Sequence, residues 1–154
     1  MNDRSDTAAL RLGDYLPYRL AVTSNLVSRL VARAYHARFG LTIWEWRVIA
    51  LLGEGRPMTA QAISDVAAMD KVSVSRAVRS LVERGLLDRE RNNADGRSRL
   101  LRLTDAGGGI YRDITPVALE AEAALLAGLD AGEIEQLAAV LDRVRERALE
   151  LMDV

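Results

Sequence analysis

The 154-residue chain contains no cysteine, a single histidine and only three prolines. The lack of cysteine excludes a disulfide framework, a thiolate zinc site and a catalytic thiol. One histidine, His36, excludes any site built from two histidines of one chain. Glycine is sparse at 11 residues, and the chain is 49% hydrophobic and 28% charged, a globular composition rather than a disordered or fibrous one. No apolar run approaches the ~18 residues of a membrane span. The N-terminus, MNDRSDTAALRLGDYL, is charged and has no apolar secretory segment. The expectation is a soluble, cytoplasmic protein without membrane association. A chain of this size corresponds to about one domain and buries roughly two-thirds of its unfolded surface.

The signs of enzymatic chemistry are also missing. There is no nucleophile–base pair and no metal-ligand cluster. Gly107-Gly108-Gly109 does not follow a hydrophobic strand in a strand-turn-helix nucleotide unit. The chain reads as a non-enzyme with no cofactor and no metal.

What is present is charge, unevenly spread. The net charge is −1, but residues 71–102 carry nine basic and four acidic groups, a net +5. Residues 103–154 carry a net −7 and residues 1–70 a net +1. A compact basic segment between neutral and acidic ones fits a polyanion-facing module with solvated flanks; chance clustering of surface arginine is the alternative.

Hydrophobic spacing predicts a first helix from about Pro17 to Arg38, with Leu20, Val27, Leu30, Val31, Ala34 and Tyr35 as its apolar stripe. Thr42 and Glu45 have capping-box spacing, and Leu41 and Trp46 that of a hydrophobic staple. The second helix then runs to about Leu52, with Trp44, Val48, Leu51 and Leu52 on one face. Thr59 caps a third helix, Ala60 to Ala68, with Ile63, Val66 and Ala67 inward, and Asp70 caps a fourth, Lys71 to Arg84. The two form a tight helix-turn-helix pair. Leu86 to Arg91 and Arg99 to Leu103 read as strands around the turn cluster Asn92-Asn93-Ala94-Asp95-Gly96. Thr104 opens a fifth helix to about Ala127, weakened by its glycines and kinked at Pro116. Asp130 and Glu133 open a sixth, to about Met152.

The fourth helix has an apolar face of Val74, Ala77, Val78, Leu81 and Val82. Its other face carries Ser73, Ser75, Arg76, Arg79 and Ser80, with Lys71 at the start and Val72 on the polar side. Arginine forks onto guanine O6 and N7, serine reaches bases or phosphates, and valine packs on a thymine methyl. An ordinary amphipathic surface helix would look similar. The hairpin adds to the signal: Asp95-Gly96-Arg97-Ser98-Arg99 places arginines at the end of a projecting ribbon, where a single Arg can enter a narrow minor groove. Asp95 can accept hydrogen bonds from Arg97 or from the turn backbone. A solubilising charged turn is the plainer reading. Together the two features describe a winged helix, and the candidate DNA contacts are Lys71, Val72, Ser73, Ser75, Arg76, Arg79, Asp95, Arg97 and Arg99.

From about Leu41 to Gly107 the chain resembles the multiple-antibiotic-resistance regulator (MarR) family of bacterial transcription factors. Three segments carry the resemblance: Asp70-Lys71-Val72-Ser73-Val74-Ser75-Arg76, then Leu81-Val82-Glu83-Arg84-Gly85-Leu86-Leu87, then Asp95-x-Arg97 followed by Leu103-Thr104-x-x-Gly107. The resemblance implies a mainly α (α+β) fold, a winged helix-turn-helix with N- and C-terminal dimerisation helices. Within one continuous domain, residues 1–40 would be a tail and first dimerisation or pocket helix. Residues 41–103 would be the DNA-binding lobe and residues 104–154 the C-terminal dimerisation helices. The implied partners are double-stranded DNA with a pseudo-palindromic operator, a second copy of the chain, and a small effector that releases a repressor. The chain departs from the pattern at Ala68, where the family turn often has Gly, and at Gly96, which replaces an Arg that often follows the wing Asp.

The resemblance places effectors between the first two helices, the fifth helix and the DNA-binding lobe. Arg19, Thr23, Trp46 and Tyr111 are the candidates there, a set suited to an aromatic carboxylate. Each also has a plain structural reading, Trp46 as staple, Tyr111 as core and Arg19 as surface. Tyr18-Arg19-Leu20 and Glu45-Trp46-Arg47 resemble members controlling aromatic-acid catabolism. Absence of Cys argues against a thiol redox sensor, and one His with scattered acids argues against a metal sensor. His36 lies off the apolar stripe, solvated or interfacial, and the sequence leaves a sensing role for it open. A helical protein–protein adaptor without DNA binding is the alternative function.

Overall fold

The computed structural model describes residues 10–152; the expected N-terminal tail up to residue 9 lies outside them. Six helices and three short strands follow in the order α1 (Leu16–Phe39), α2 (Ile43–Gly53), β1 (Met58–Thr59), α3 (Ala60–Ala67), α4 (Lys71–Glu83), β2 (Leu87–Arg91), β3 (Arg99–Leu103), α5 (Asp105–Leu126) and α6 (Ala131–Met152). The fold is mainly helical, with one small antiparallel sheet of order β1-β3-β2.

Local chemistry sets the helix starts. Thr42 and Glu45 close a capping box: Thr42 Oγ1 accepts the Glu45 N–H at 3.2 Å, and Glu45 Oε2 accepts the Thr42 N–H at 2.7 Å. Thr59 accepts from Ala62 N at 3.1 Å, Asp70 from Ser73 N at 2.8 Å and Thr104 from Gly107 N at 3.1 Å. Asp130 and Glu133 form a second reciprocal pair at 2.9 and 2.8 Å. Gly85 ends the α4 segment at φ 70°, a left-handed turn that glycine adopts without strain. The α5 helix runs unbroken through Pro116, with the neighbouring Thr115 hydroxyl donating to Tyr111 O at 2.7 Å.

The core gathers α1, α2, α3, α4, the sheet and α5 around Tyr35, Leu41, Val48, Ile49, Ile63, Leu81, Leu87, Leu101 and Ile114. Several expected inward residues lie elsewhere. Trp44 and Val66 are 40% and 65% exposed, and Leu20 and Leu30 of α1 are exposed as well. The one-sided core has room for only part of each apolar stripe. α2 uses its Glu45–Val48–Ile49–Leu52 face, and α3 buries Ile63 alone. The strand β1 has no counterpart among the expected elements, which use Thr59 only as a helix cap. It is two residues long, below the reach of any periodicity, and it exists only because Met58 and Thr59 pair with Leu101 and Leu100. No residue of α6 is buried in the single chain.

Candidate nucleic-acid interface

The α4 helix lies on the core through Val74, Ala77, Val78 and Leu81. Lys71, Val72, Ser75, Arg76 and Arg79 are exposed. At 100° per residue, Val72 and Arg79 share the outward ridge, with Ser75 on one flank and Arg76 on the other. Two serines of the polar face are otherwise engaged. Ser73 caps α4: its hydroxyl donates to Asp70 Oδ2 at 2.6 Å. That bond and the Ser73 N–H hold the Asp70 carboxyl below its ordinary pKa. Ser80, expected beside the arginines, donates instead to the buried carboxylate of Glu45. Arg84 reaches the same carboxylate at 3.9 Å and donates to Phe39 O at 2.7 Å, tying the end of α4 to the α1–α2 junction.

The wing sorts its charge by strand alternation. Leu87 pairs with Leu103, Arg89 with Leu101 and Arg91 with Arg99. The side chains on the inner face therefore run from leucine at the core to three arginines toward the tip. The other face carries Asp88, Glu90 and Arg102, and there Arg102 Nε meets Glu90 Oε1 at 3.1 Å. A cleft of ≈ 650 Å³ separates this inner face from α4. Its lining includes Lys71, Ser75, Arg89, Asp95, Ser98 and Arg99. Arg89 was counted in the basic segment but not singled out as a contact; its two-residue spacing from the buried Leu87 is the signal that places it. At the tip, Asp95 Oδ1 accepts the backbone N–H of Arg97 at 3.1 Å, and Ser98 N donates to Asp95 O at 3.1 Å. Asp95 thus shapes the turn, and Arg97 is exposed beyond it.

Of the four expected effector residues, the fold brings two together. Trp46 and Tyr111 are stacked with centroids 6.3 Å apart, and Tyr35 joins the row 5.6 Å from Trp46. Burial pushes the Tyr35 phenol up to about 12, with Arg47 opposing the shift. Tyr111 also edges a groove of ≈ 390 Å³ that carries Arg56, Arg102 and Arg112. Arg19 and Thr23 are exposed on α1. Counted from Tyr35 along the helix axis they lie roughly 24 and 18 Å away, so one chain does not assemble the four into a single wall. Tyr35 read as core in the sequence; its place in the row depends on three helices meeting. His36 is exposed in the last turn of α1, with Nδ1 3.0 Å from Leu41 O. No group of His, Cys, Asp and Glu suited to a metal ion occurs among the described residues. No described helix is long and apolar enough to cross a membrane.

Comparison with known proteins gives a consistent answer. The family model described as MarR family matches residues 39–98. A MarR/EmrR family transcriptional regulator from Acinetobacter sp. ADP1 superposes with a TM-score of 0.84 at 27% identity, over 92% of this chain and 99% of the other. A probable transcriptional regulator from Pseudomonas aeruginosa is 30% identical, with a TM-score of 0.76 over 87% of this chain and 99% of its own. A MarR family regulator from Listeria monocytogenes, complexed with 26mer DNA, shares the fold at 22% identity and a TM-score of 0.78, over 87% and 88% of the two chains. A search of curated proteins found no match.

Proposed function

The chain belongs to the MarR family, and on that premise we propose that it regulates transcription by binding double-stranded DNA as a homodimer. In this reading it represses from a pseudo-palindromic operator and is released by a small aromatic acid. The observation that carries the reading is the pairing of the exposed α4 helix with a wing face whose Arg89 and Arg99 line the cleft between them. The Listeria relative, which shares the fold, is complexed with 26mer DNA, and that supports DNA as the partner. Lys71, Val72, Ser75, Arg76 and Arg79 would enter the major groove, and Arg97 and Arg99 would meet the backbone or the minor groove. Ser73 and Asp95 would shape these elements more than touch DNA.

The homodimer is supported by what one chain leaves uncovered. Leu137, Val140, Leu141, Val144 and Leu151 of α6 are all 44% exposed or more. An isologous two-fold contact would cover them and set two α4 helices about one DNA turn apart. The aromatic effector is supported by the Trp46–Tyr111 stack, with Arg56 and Arg112 lining the same groove as Tyr111.

Fluorescence anisotropy tests the reading, with duplex DNA from the region beside the protein's own gene at two salt concentrations. Affinity should fall steeply with salt, and an aromatic acid from a panel should release the duplex. Arg76→Ala should cost about 1–3 kcal/mol and relax base preference at one position. No binding at low salt would leave the helical adaptor as the better description.

A further inference from the structure

An α-helix with its side chains is about 10–12 Å across, and the major groove about 12 Å wide. Whatever flanks an inserted helix therefore meets one of the two bounding sugar–phosphate backbones. On one side of α4 that flank is the wing. On the other it is the start of α2, across a groove of ≈ 340 Å³ lined by Thr42, Trp44, Ser73, Arg76 and Ser80, with Glu45 also in the lining.

Trp44 is the unexplained member of this groove. It is 40% exposed, and the buried face of α2 makes no use of it. Its indole is nevertheless held, with the Arg47 guanidinium 5.2 Å from the ring centroid. Arg47 thus lies over the ring, and Arg76 lines the same groove as Trp44. The indole N–H is a donor only, matched to an acceptor-only phosphate oxygen. Glu45, the acid in the lining, is 5% exposed. Its oxygens accept from Thr42 N and the Ser80 hydroxyl, and Arg84 lies 3.9 Å away. Its charge is compensated internally, and little of it reaches the surface of the groove.

We propose that Trp44 forms a second clamp on the DNA backbone, opposite the wing, beside Arg76 in the same groove. The indole N–H donates to a phosphate and the ring packs on the adjoining deoxyribose, while Arg76 reaches inward from the same groove. The assignment rests on the DNA-binding reading above and adds a contact that fixes the angle of α4 in the groove.

The chain has two tryptophans, Trp44 and Trp46, so an emission change on binding that is lost when Trp44 is replaced, leaving Trp46 alone, belongs to Trp44. Binding of labelled duplex is read by anisotropy over a salt series, and tryptophan emission is read in parallel. Parent emission should change on binding. Trp44→Phe keeps the ring but loses the donor, and should bind about fivefold more weakly with no emission change. Trp44→Ala should lose about tenfold or more. In both, the slope of log affinity against log salt should match the parent, because no charge is removed. Thermal unfolding of both variants shows that they fold. Trp44→Ala binding within about twofold of the parent, or an emission change that persists in Trp44→Phe, would overturn the clamp and leave the DNA-binding reading standing. A parent that binds no duplex at low salt would overturn both.

Discussion

Asp95 holds the wing through the main chain. Its carboxylate accepts the Arg97 N–H at 3.1 Å, while the Arg97 side chain is exposed at the tip. Turn geometry and charge can therefore be separated at this one position. Arg97→Ala should lower affinity for all duplexes and reduce the salt slope by about one contact per subunit. Asp95→Ala opens the turn and should weaken binding more mildly, because it also removes a negative charge close to phosphate. Asp95→Asn keeps the acceptor without the charge, and should bind at least as tightly as the parent. Anisotropy of the three variants on one duplex checks the order. If Asp95→Ala bound more tightly than the parent, the turn would contribute nothing and Asp95 would be only a repulsive charge. The Asx pattern itself was legible in the sequence. Whether backbone or guanidinium took the bond was not, since both lie two residues away.

At the level of elements, the start of α5 contains three adjacent glycines whose roles the structure separates. A Cβ on Gly107 would sit 2.1 Å from Leu86 O, a backbone atom that also accepts the Thr104 N–H at 3.1 Å. The helix can approach the start of β2 only without a side chain there. A Cβ on Gly108 would meet nothing nearer than an Arg112 guanidinium nitrogen at 3.4 Å. Gly107→Ala should therefore destabilise by about 1–3 kcal/mol through overpacking. Gly108→Ala should stabilise by up to about 1 kcal/mol through helix propensity. Urea denaturation measures both, and equal effects would remove the close-approach argument. From the sequence the three glycines read only as a weak helix start. The cap at Thr104 was legible because capping is a contact between residues three apart. The close approach was not, because it joins α5 to Leu86, far back in the chain. Ala68 follows the same rule. Its φ of 48° is the left-handed conformation that the family's usual glycine adopts freely, and the alanine sits there under strain.

For the molecule as a whole, the α6 face is an uncovered apolar feature. Fully burying a leucine or valine contributes about 1.5–3 kcal/mol, so covering Leu137, Val140, Leu141, Val144 and Leu151 is a drive to association. Deleting residues 131–154 should give a monomer or an aggregate with weak operator binding, measured by light scattering and anisotropy. A folded monomer with full affinity would refute the two-fold assembly. The amino-acid sequence by itself determined the helix caps, the helix-turn-helix spacing, the basic segment and the wing turn. All of these arise from contacts within about five residues, or from composition. Only the tertiary structure decided which half of each apolar stripe is covered, and so left Trp44, Val66 and Leu30 outside. It alone paired β1 with β3 and turned three arginines inward on the wing. It also brought Tyr35, Trp46 and Tyr111 into one row from three helices. These are meetings between distant segments. A residue's own neighbours state how apolar or charged it is, while the packing of other elements against it decides what it faces.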